Sequence, residues 1–500
     1  MSTGMSPPQD VDIYPLYPFD RDKSFDDMHM AWMFRANARL DPEMLGSSLS
    51  RLLQIGEWRK FAGRFKRNSD GDLEIHTPRD FPEDYSIIGY SHRDLSHQKA
   101  ADHELVSQMP TKQHEISIRA HPGYQELQCH DNTLANGTMN FWIQEQLPPL
   151  ALHVTTFEDT TIVSLLWRHN ISDGAGMADL VHAWSLVLAC REDDVPPLLG
   201  TKENIIWQIG EKAVEEVNEE WCMKGKSLGW FAVCKMLIKV FLRRRLVVPK
   251  FESRCISVPG AFIEQLKERA LRQLDAKGIQ RPPFLGRALL LRAWFLKKAL
   301  EAEPSVSNVT LVMPVNPRAR LSQLQQNRGV YVQNMLSWVF LSLSDEIIRG
   351  PLARIAMEIR RQTLEQTTPG QIAAYFAFKH AQEEKRIPKE KLFYFTDNPG
   401  NDFPTAYNDV GPLGVLEKAD FGPAVVNQGD SALAHVRGPG MPTFFMQRNL
   451  GKPVLGLDEL RLPTIVCSGK DAFGNYLLDG HLLRQTWESM EKDLECDEPI

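Results

Sequence analysis

Two apolar runs joined by a short polar turn, and followed at once by a glycine-bearing loop and a helical repeat, constrain this chain most. Leu150 to Phe157 and Thr161 to Trp167 are rich in aliphatic and β-branched residues, with Glu158-Asp159-Thr160 between them. That pattern reads as a hairpin. The second run is broken only by Ser164, so its strand is expected to be buried on both faces. After Gly176 the period changes. Met177, Leu180, Val181, Trp184, Val187 and Leu188 recur at helical spacing, which predicts an amphipathic helix to about Cys190.

The junction carries the chemistry. Trp167-Arg168-His169-Asn170-Ile171-Ser172-Asp173-Gly174-Ala175-Gly176 puts a histidine where the strand ends and an aspartate where the helix begins. In the plainer reading Asp173 caps the helix, Gly174 and Gly176 ease the turn, and His169 fills space. In the functional reading His169 is a general base and Asp173 keeps the local geometry rigid. A lone His-x-x-x-Asp-Gly does not decide between them.

Other segments resemble known signatures in the same order. The junction is similar to that of the BAHD family of acyl-CoA-dependent acyltransferases of plants and fungi. Val312-Met313-Pro314-Val315-Asn316-Pro317-Arg318-Ala319-Arg320-Leu321 resembles that family's strand ending in Arg-x-Arg-Leu. Tyr331-Val332-Gln333-Asn334 looks like its Tyr-x-x-Asn, and Ala419-Asp420-Phe421-Gly422-Pro423-Ala424 is similar to its Asp-Phe-Gly-Trp-Gly. Pro423 and Ala424 replace the usual Trp and Gly, a departure that points to divergent fungal members acting on secondary metabolites.

The resemblance covers nearly the whole chain and implies a mixed α/β fold. It also implies two similar chloramphenicol-acetyltransferase-like domains with the active channel at their interface. It implies acyl transfer, most simply of acetyl, from acyl-CoA to a hydroxyl, with His169 as base and no acyl-enzyme. Acyl-CoA is then a co-substrate and no cofactor is held permanently. Asp173 would turn away from the histidine to pair with an arginine, Arg318 or Arg320, the latter favoured because it precedes Leu321. Gly174 would shape the site, and Asn334 would be either an amide donor to the oxyanion or a turn residue. Asp420, Phe421 and Gly422 would support the fold away from the reacting atoms.

A condensation-type enzyme using carrier-protein thioesters is the nearest alternative, but it ordinarily has a second histidine where Arg168 stands. A non-catalytic metabolite-binding homologue is the other.

Composition accords with an enzyme of two or three domains: 500 residues, 43% hydrophobic and 24% charged. A net charge of −7 argues against a nucleic-acid partner. Met1 to Asp22 is polar and proline-containing without an apolar signal core, and the seven cysteines show no metal-type pairing. A cytoplasmic monomer without bound metal is the expectation. Trp230 to Leu242 is apolar with a cationic stripe at Lys235, Lys239 and Arg243, too interrupted to span a bilayer. It reads as a crossover helix packed on its own protein, with peripheral membrane contact the lesser reading. The expected divisions are 1–215, a crossover at 216–250, and 251–500. Within the last, helices are expected over Phe262–Leu274, Phe284–Leu300, Pro351–Thr363 and Gln485–Leu494, with strands over Phe251–Val258 and up to Arg318.

Overall fold

The computed structural model describes the chain apart from residues 1–9, 27, 113–116, 121–122, 129–136, 217–218, 228–230, 233, 236–237, 239–250, 305, 326–327, 386–393, 399–401, 430–435, 451–461 and 496–500. Most of the cationic helix expected over Trp230–Leu242 lies outside the described residues, as do Cys129 and Cys496.

The first half of the chain supplies β1 (His29–Ala36), β2 (Gly89–Leu95), β3 (Ser117–Ala120), β4 (Leu150–Phe157) and β5 (Thr161–Arg168). The second half supplies β6 (Phe251–Val258), β7 (Asn308–Val315), β8 (Ser337–Ser344) and β9 (Phe403–Asp409). It then adds β10 (Pro442–Asn449), β11 (Thr464–Lys470) and β12 (Tyr476–Leu483). Two sheets result, in the orders β10-β1-β5-β4-β2 and β8-β7-β9-β11-β12-β6-β3.

Each sheet therefore borrows one strand from the other half of the chain. β10 lies antiparallel to β1, Phe445 opposite Phe34, and β3 lies antiparallel to β6, Ile118 opposite Ile256. The division into 1–215 and 251–500 is crossed in both directions. A strand's partner is set by the edge it can reach, which sequence order does not specify.

The β4–β5 hairpin forms as expected, with Thr156 opposite Thr161 and Leu150 opposite Trp167. Every residue of both strands is buried. One face meets α1 (Pro42–Leu52) and α2 (Gly174–Leu188) in a core that includes Trp32, Phe34, Val163, Leu165, Trp167, Leu180 and Trp184. The other face meets Phe444, Met446 and Leu127 through Ile162 and Phe157. Ser164 tolerates this burial because its Oγ donates to the Leu127 carbonyl at 2.8 Å. Each large apolar side chain so buried contributes about 1.5–3 kcal/mol.

The second sheet is covered by α3 (Gly260–Ala276), α4 (Arg287–Glu301), α5 (Leu352–Gln366) and α6 (Arg484–Glu495). Gly278, at φ +65°, stops α3 as a glycine can. Buried Asp493 ties α6 to α4, accepting from Trp294 Nε1 and Lys298 Nζ, both at 2.9 Å. Two expected boundaries shift. α4 begins at Arg287 rather than Phe284, because Gly286 is still extended and Phe284 is exposed. β7 ends at Val315, not Arg318, because Pro317 opens a turn closed by Arg320 N–H donating to its carbonyl at 2.8 Å. Among the described residues no helix is long and apolar enough to cross a membrane.

Candidate active site

His169 is the first residue beyond β5 and Asp173 caps α2, so the strand-to-helix switch places them one short loop apart. The Asp173 carboxylate is saturated. Its Oδ1 accepts from Gly176 N at 3.0 Å and Arg318 Nη2 at 3.1 Å, and its Oδ2 from Arg318 Nη1 at 3.0 Å and Met335 N at 2.9 Å. The helix-cap reading and the arginine-pair reading are thus both realised, on one residue.

Arg318 is the partner, and the favoured Arg320 is not. The turn from Pro317 sends Arg318 back beneath α2, where Nε donates to the Tyr331 carbonyl at 3.0 Å and Nη2 to the Gln333 carbonyl at 2.8 Å. With Nη1 also on Asn316 Oδ1 at 3.2 Å, all five guanidinium N–H groups are engaged. Arg320 points outward and donates to Thr367 Oγ1 at 2.8 Å.

Gly176 is required by close approach. A Cβ there would stand 2.4 Å from Ser172 Oγ and 2.6 Å from Val332 Cα. The glycine lets the 330–335 segment lie against the first turn of α2. Gly174 is less constrained: its missing Cβ would face Leu413 at 3.1 Å and Trp32 at 3.7 Å.

His169 is 8% exposed and fastened on three sides. Its N–H donates to the Met28 carbonyl at 3.2 Å, and its carbonyl accepts from Asn334 Nδ2 at 2.8 Å. Its imidazole stacks on Phe25 with centroids 4.3 Å apart and planes 19° from parallel. Burial pushes its pKa down, opposed by Asp173, by its own backbone, by the Asn334 side chain and by Asp22. The ring is therefore neutral near pH 7 and can accept a proton.

Asn334 does not serve the oxyanion. Its two Nδ2 hydrogens are committed to His169 O and to Asp20 Oδ1 at 2.9 Å, so none remains to donate. The neighbouring residues fasten the N-terminal segment as well. Asn170 Nδ2 donates to the Asp20 carbonyl at 2.9 Å. Arg168, fully buried, donates to the Asp26 carbonyl, His29 Nε2 and, at 2.9 Å, the Gly137 carbonyl, with Trp142 over its guanidinium.

The third motif lies elsewhere. Phe421 is buried between Trp184 and Phe34 at centroid distances of 5.1 and 5.7 Å. Asp420 N donates to Ser185 Oγ at 3.0 Å, and Asp420 Oδ1 accepts from Gly422 N at 2.8 Å. The motif pins the second half of the chain onto α2. His182 is exposed, and among the described residues no group of acidic, histidine and cysteine side chains could hold a metal ion.

Sequence reasoning missed Asp20, Phe25, Met28 and Asn170. Asn170 lay inside the recognised string, but nothing in the polar, proline-containing N-terminus marks a segment that folds onto His169.

No family model matches the chain. It is 29% identical over 98% of its length, and 96% of the relative's, to the transcriptional regulator calD of Penicillium decumbens. It is 26% identical to the O-acetyltransferase PaAT-2 of Phomopsis amygdali, covering 97% of each chain. The acetyltransferase BOT5 of Botryotinia fuckeliana is also 26% identical, over 99% of this chain and 92% of that one. Among solved structures, TRI101 of F. sporotrichioides complexed with coenzyme A and T-2 superposes with a TM-score of 0.60 at 13% identity, covering 96% of this chain and 97% of that one. The first condensation domain of the CDA synthetase superposes at 0.53, also at 13% identity, over 98% and 97%. The fold is accordingly the two-domain, chloramphenicol-acetyltransferase-like one.

Proposed function

We propose that this chain, a BAHD-type, acyl-CoA-dependent O-acyltransferase of the fungal secondary-metabolite kind, transfers an acetyl group to a hydroxyl of a small-molecule natural product with His169 as general base. The observation that carries the base assignment is a buried, neutral imidazole clamped at the end of β5 while the nearby carboxylate is fully occupied by Arg318 and two backbone amides.

The thioester is already activated, and the difficulty lies in the neutral alcohol. As the hydroxyl oxygen attacks the thioester carbonyl, the imidazole takes its proton. The tetrahedral intermediate collapses by breaking the C–S bond, and the proton passes to the departing thiolate. No side chain is acylated. Asp173 takes no part in this transfer, because all its strong acceptor directions are filled. Base assistance of this kind contributes about 10²–10⁴-fold.

The test is thiol release and product mass with acetyl-CoA and a metabolite extract of the source organism, using wild type and His169→Ala. A product heavier by one acetyl group, reduced about 10²–10⁴-fold in a variant that melts like wild type, supports the reading. Undiminished turnover in the variant would refute it.

The fold shared with a condensation domain favours a second reading, in which the donor is a carrier-bound thioester. Against it, Arg168 occupies the first histidine's place as a buried structural residue. Turnover of a pantetheinyl-carrier acetyl thioester but not of acetyl-CoA would favour that alternative.

A further inference from the structure

Asp20 is a fully buried carboxylate in a segment that neither recognised motif nor helix or strand accounts for. Its Oδ1 accepts from both Asn334 N at 2.8 Å and Asn334 Nδ2 at 2.9 Å, and its Oδ2 from Tyr17 N at 3.3 Å. Burial favours its neutral form, while the Lys60 ammonium and the two Asn334 bonds favour the charged one. Removing a carboxylate from water is costly, so its presence here calls for a geometric reason.

Asn334 supplies one. A side-chain amide has two nearly isosteric ends, and only its surroundings decide which way it points. Two acceptors, Asp20 Oδ1 and His169 O, converge on Asn334 Nδ2. The amide nitrogen is thereby fixed, and the oxygen must lie opposite. Among the described residues neither Asn334 Oδ1 nor His169 Nδ1, both buried, has a hydrogen-bond partner, and the Asn334 side chain favours the protonated imidazole. An inverted amide would lose both Nδ2 bonds, set its one oxygen against Nδ2's two former acceptors, and present hydrogens to the ring.

We infer that Asp20 is a positioning residue: it sets the orientation of the Asn334 amide, which in turn holds the His169 backbone and ring in register beneath Phe25. This rests on His169 being the base. Because the route runs through Asn334, the effects of losing Asp20 and losing Asn334 on the rate must overlap rather than multiply.

The experiment compares Asp20→Ala, Asp20→Asn, Asn334→Ala and the Asp20→Ala/Asn334→Ala double variant, by thiol release from acetyl-CoA in the same extract, below each variant's melting transition. Asp20→Ala and Asn334→Ala are each expected to lower kcat about 10²-fold, the scale of a misplacement near 1 Å, with KM for acetyl-CoA within about twofold. Asp20→Asn keeps the acceptor oxygen and is expected to recover the rate to within about fivefold. The double variant is expected to match Asn334→Ala. Multiplying effects, a shift confined to KM, or a wild-type rate for Asn334→Ala would overturn the inference. Should Asp20→Ala fail to fold, the contrast between Asp20→Asn and Asn334→Ala decides it. His169→Ala in parallel separates the two ideas, since retained activity there refutes the base itself, not its positioning.

Discussion

Arg318→Met probes the strongest electrostatic link in the site. The guanidinium holds both oxygens of Asp173, which is 1% exposed, and donates three further bonds to Tyr331 O, Gln333 O and Asn316 Oδ1. Methionine matches the stem but removes the charge, leaving Asp173 with the two amides of Gly176 and Met335. Removing one member of a buried pair costs about 3–5 kcal/mol, because the remaining charge stays buried. With about 2.1 cal/mol/K per residue, a cooperative unit of this length unfolds with about 1 kcal/mol/K, so the melting midpoint should fall by about 4 °C. If only the half containing His169 unfolds, the same loss lowers it by about 8 °C.

The control is Arg320→Met. That side chain is exposed and, among the described residues, bonded only to Thr367, so its loss should cost less than about 1 kcal/mol. Adding Asp173→Asn to Arg318→Met removes the stranded charge while keeping an acceptor for Gly176, and should recover part of the loss. Thermal scans of the four proteins by circular dichroism provide the comparison. Equal shifts for the two arginine variants, or a double variant no more stable than Arg318→Met, would refute the assignment.

Burial lowers the His169 pKa, so the neutral imidazole persists below the ordinary value of about 6.5. The acid limb of kcat/KM should therefore have its midpoint below that value; a midpoint above it would contradict the environment described. The same shift has a stability consequence: as pH falls through the unfolded value the unfolded chain takes up the proton first, so the contribution is present above that pH and is lost below it. Phe421→Ala should cost about 3–5 kcal/mol by opening a cavity between Trp184 and Phe34, while leaving kcat near wild type below the transition. A large fall in kcat with an unchanged melt would place this motif in the chemistry instead.

Much of this arrangement was legible from local pattern. Hairpin, strand end and helix start followed from side-chain periodicity, because strand and helix repeat every 2.0 and 3.6 residues whatever surrounds them. The Asp173 cap was legible because it serves the first turn of α2; Gly176 was expected only to ease that turn, whereas the need for it comes from Val332, which the fold brings against it. Irregular backbone has no such period. Arg318 and Arg320 leave one turn two residues apart, and a turn can send either inward. The tertiary structure chose Arg318, because β7 ends three residues earlier than the motif suggests.

Partners distant in sequence were beyond local reading altogether. Asp173 meets Arg318 across 145 positions, and Asp20 meets Asn334 across 314. Neither carboxylate differs, residue by residue, from those that caps and turns place on surfaces. Local pattern alone places His169 and a helix cap relative to one strand end. Which cation neutralises that cap, which amide holds His169, and that the N-terminal segment covers this histidine were decided only when two sheets exchanged strands and brought remote polar groups out of water together. There an unpaired charge or amide costs several kcal/mol, and that penalty selects the pairing.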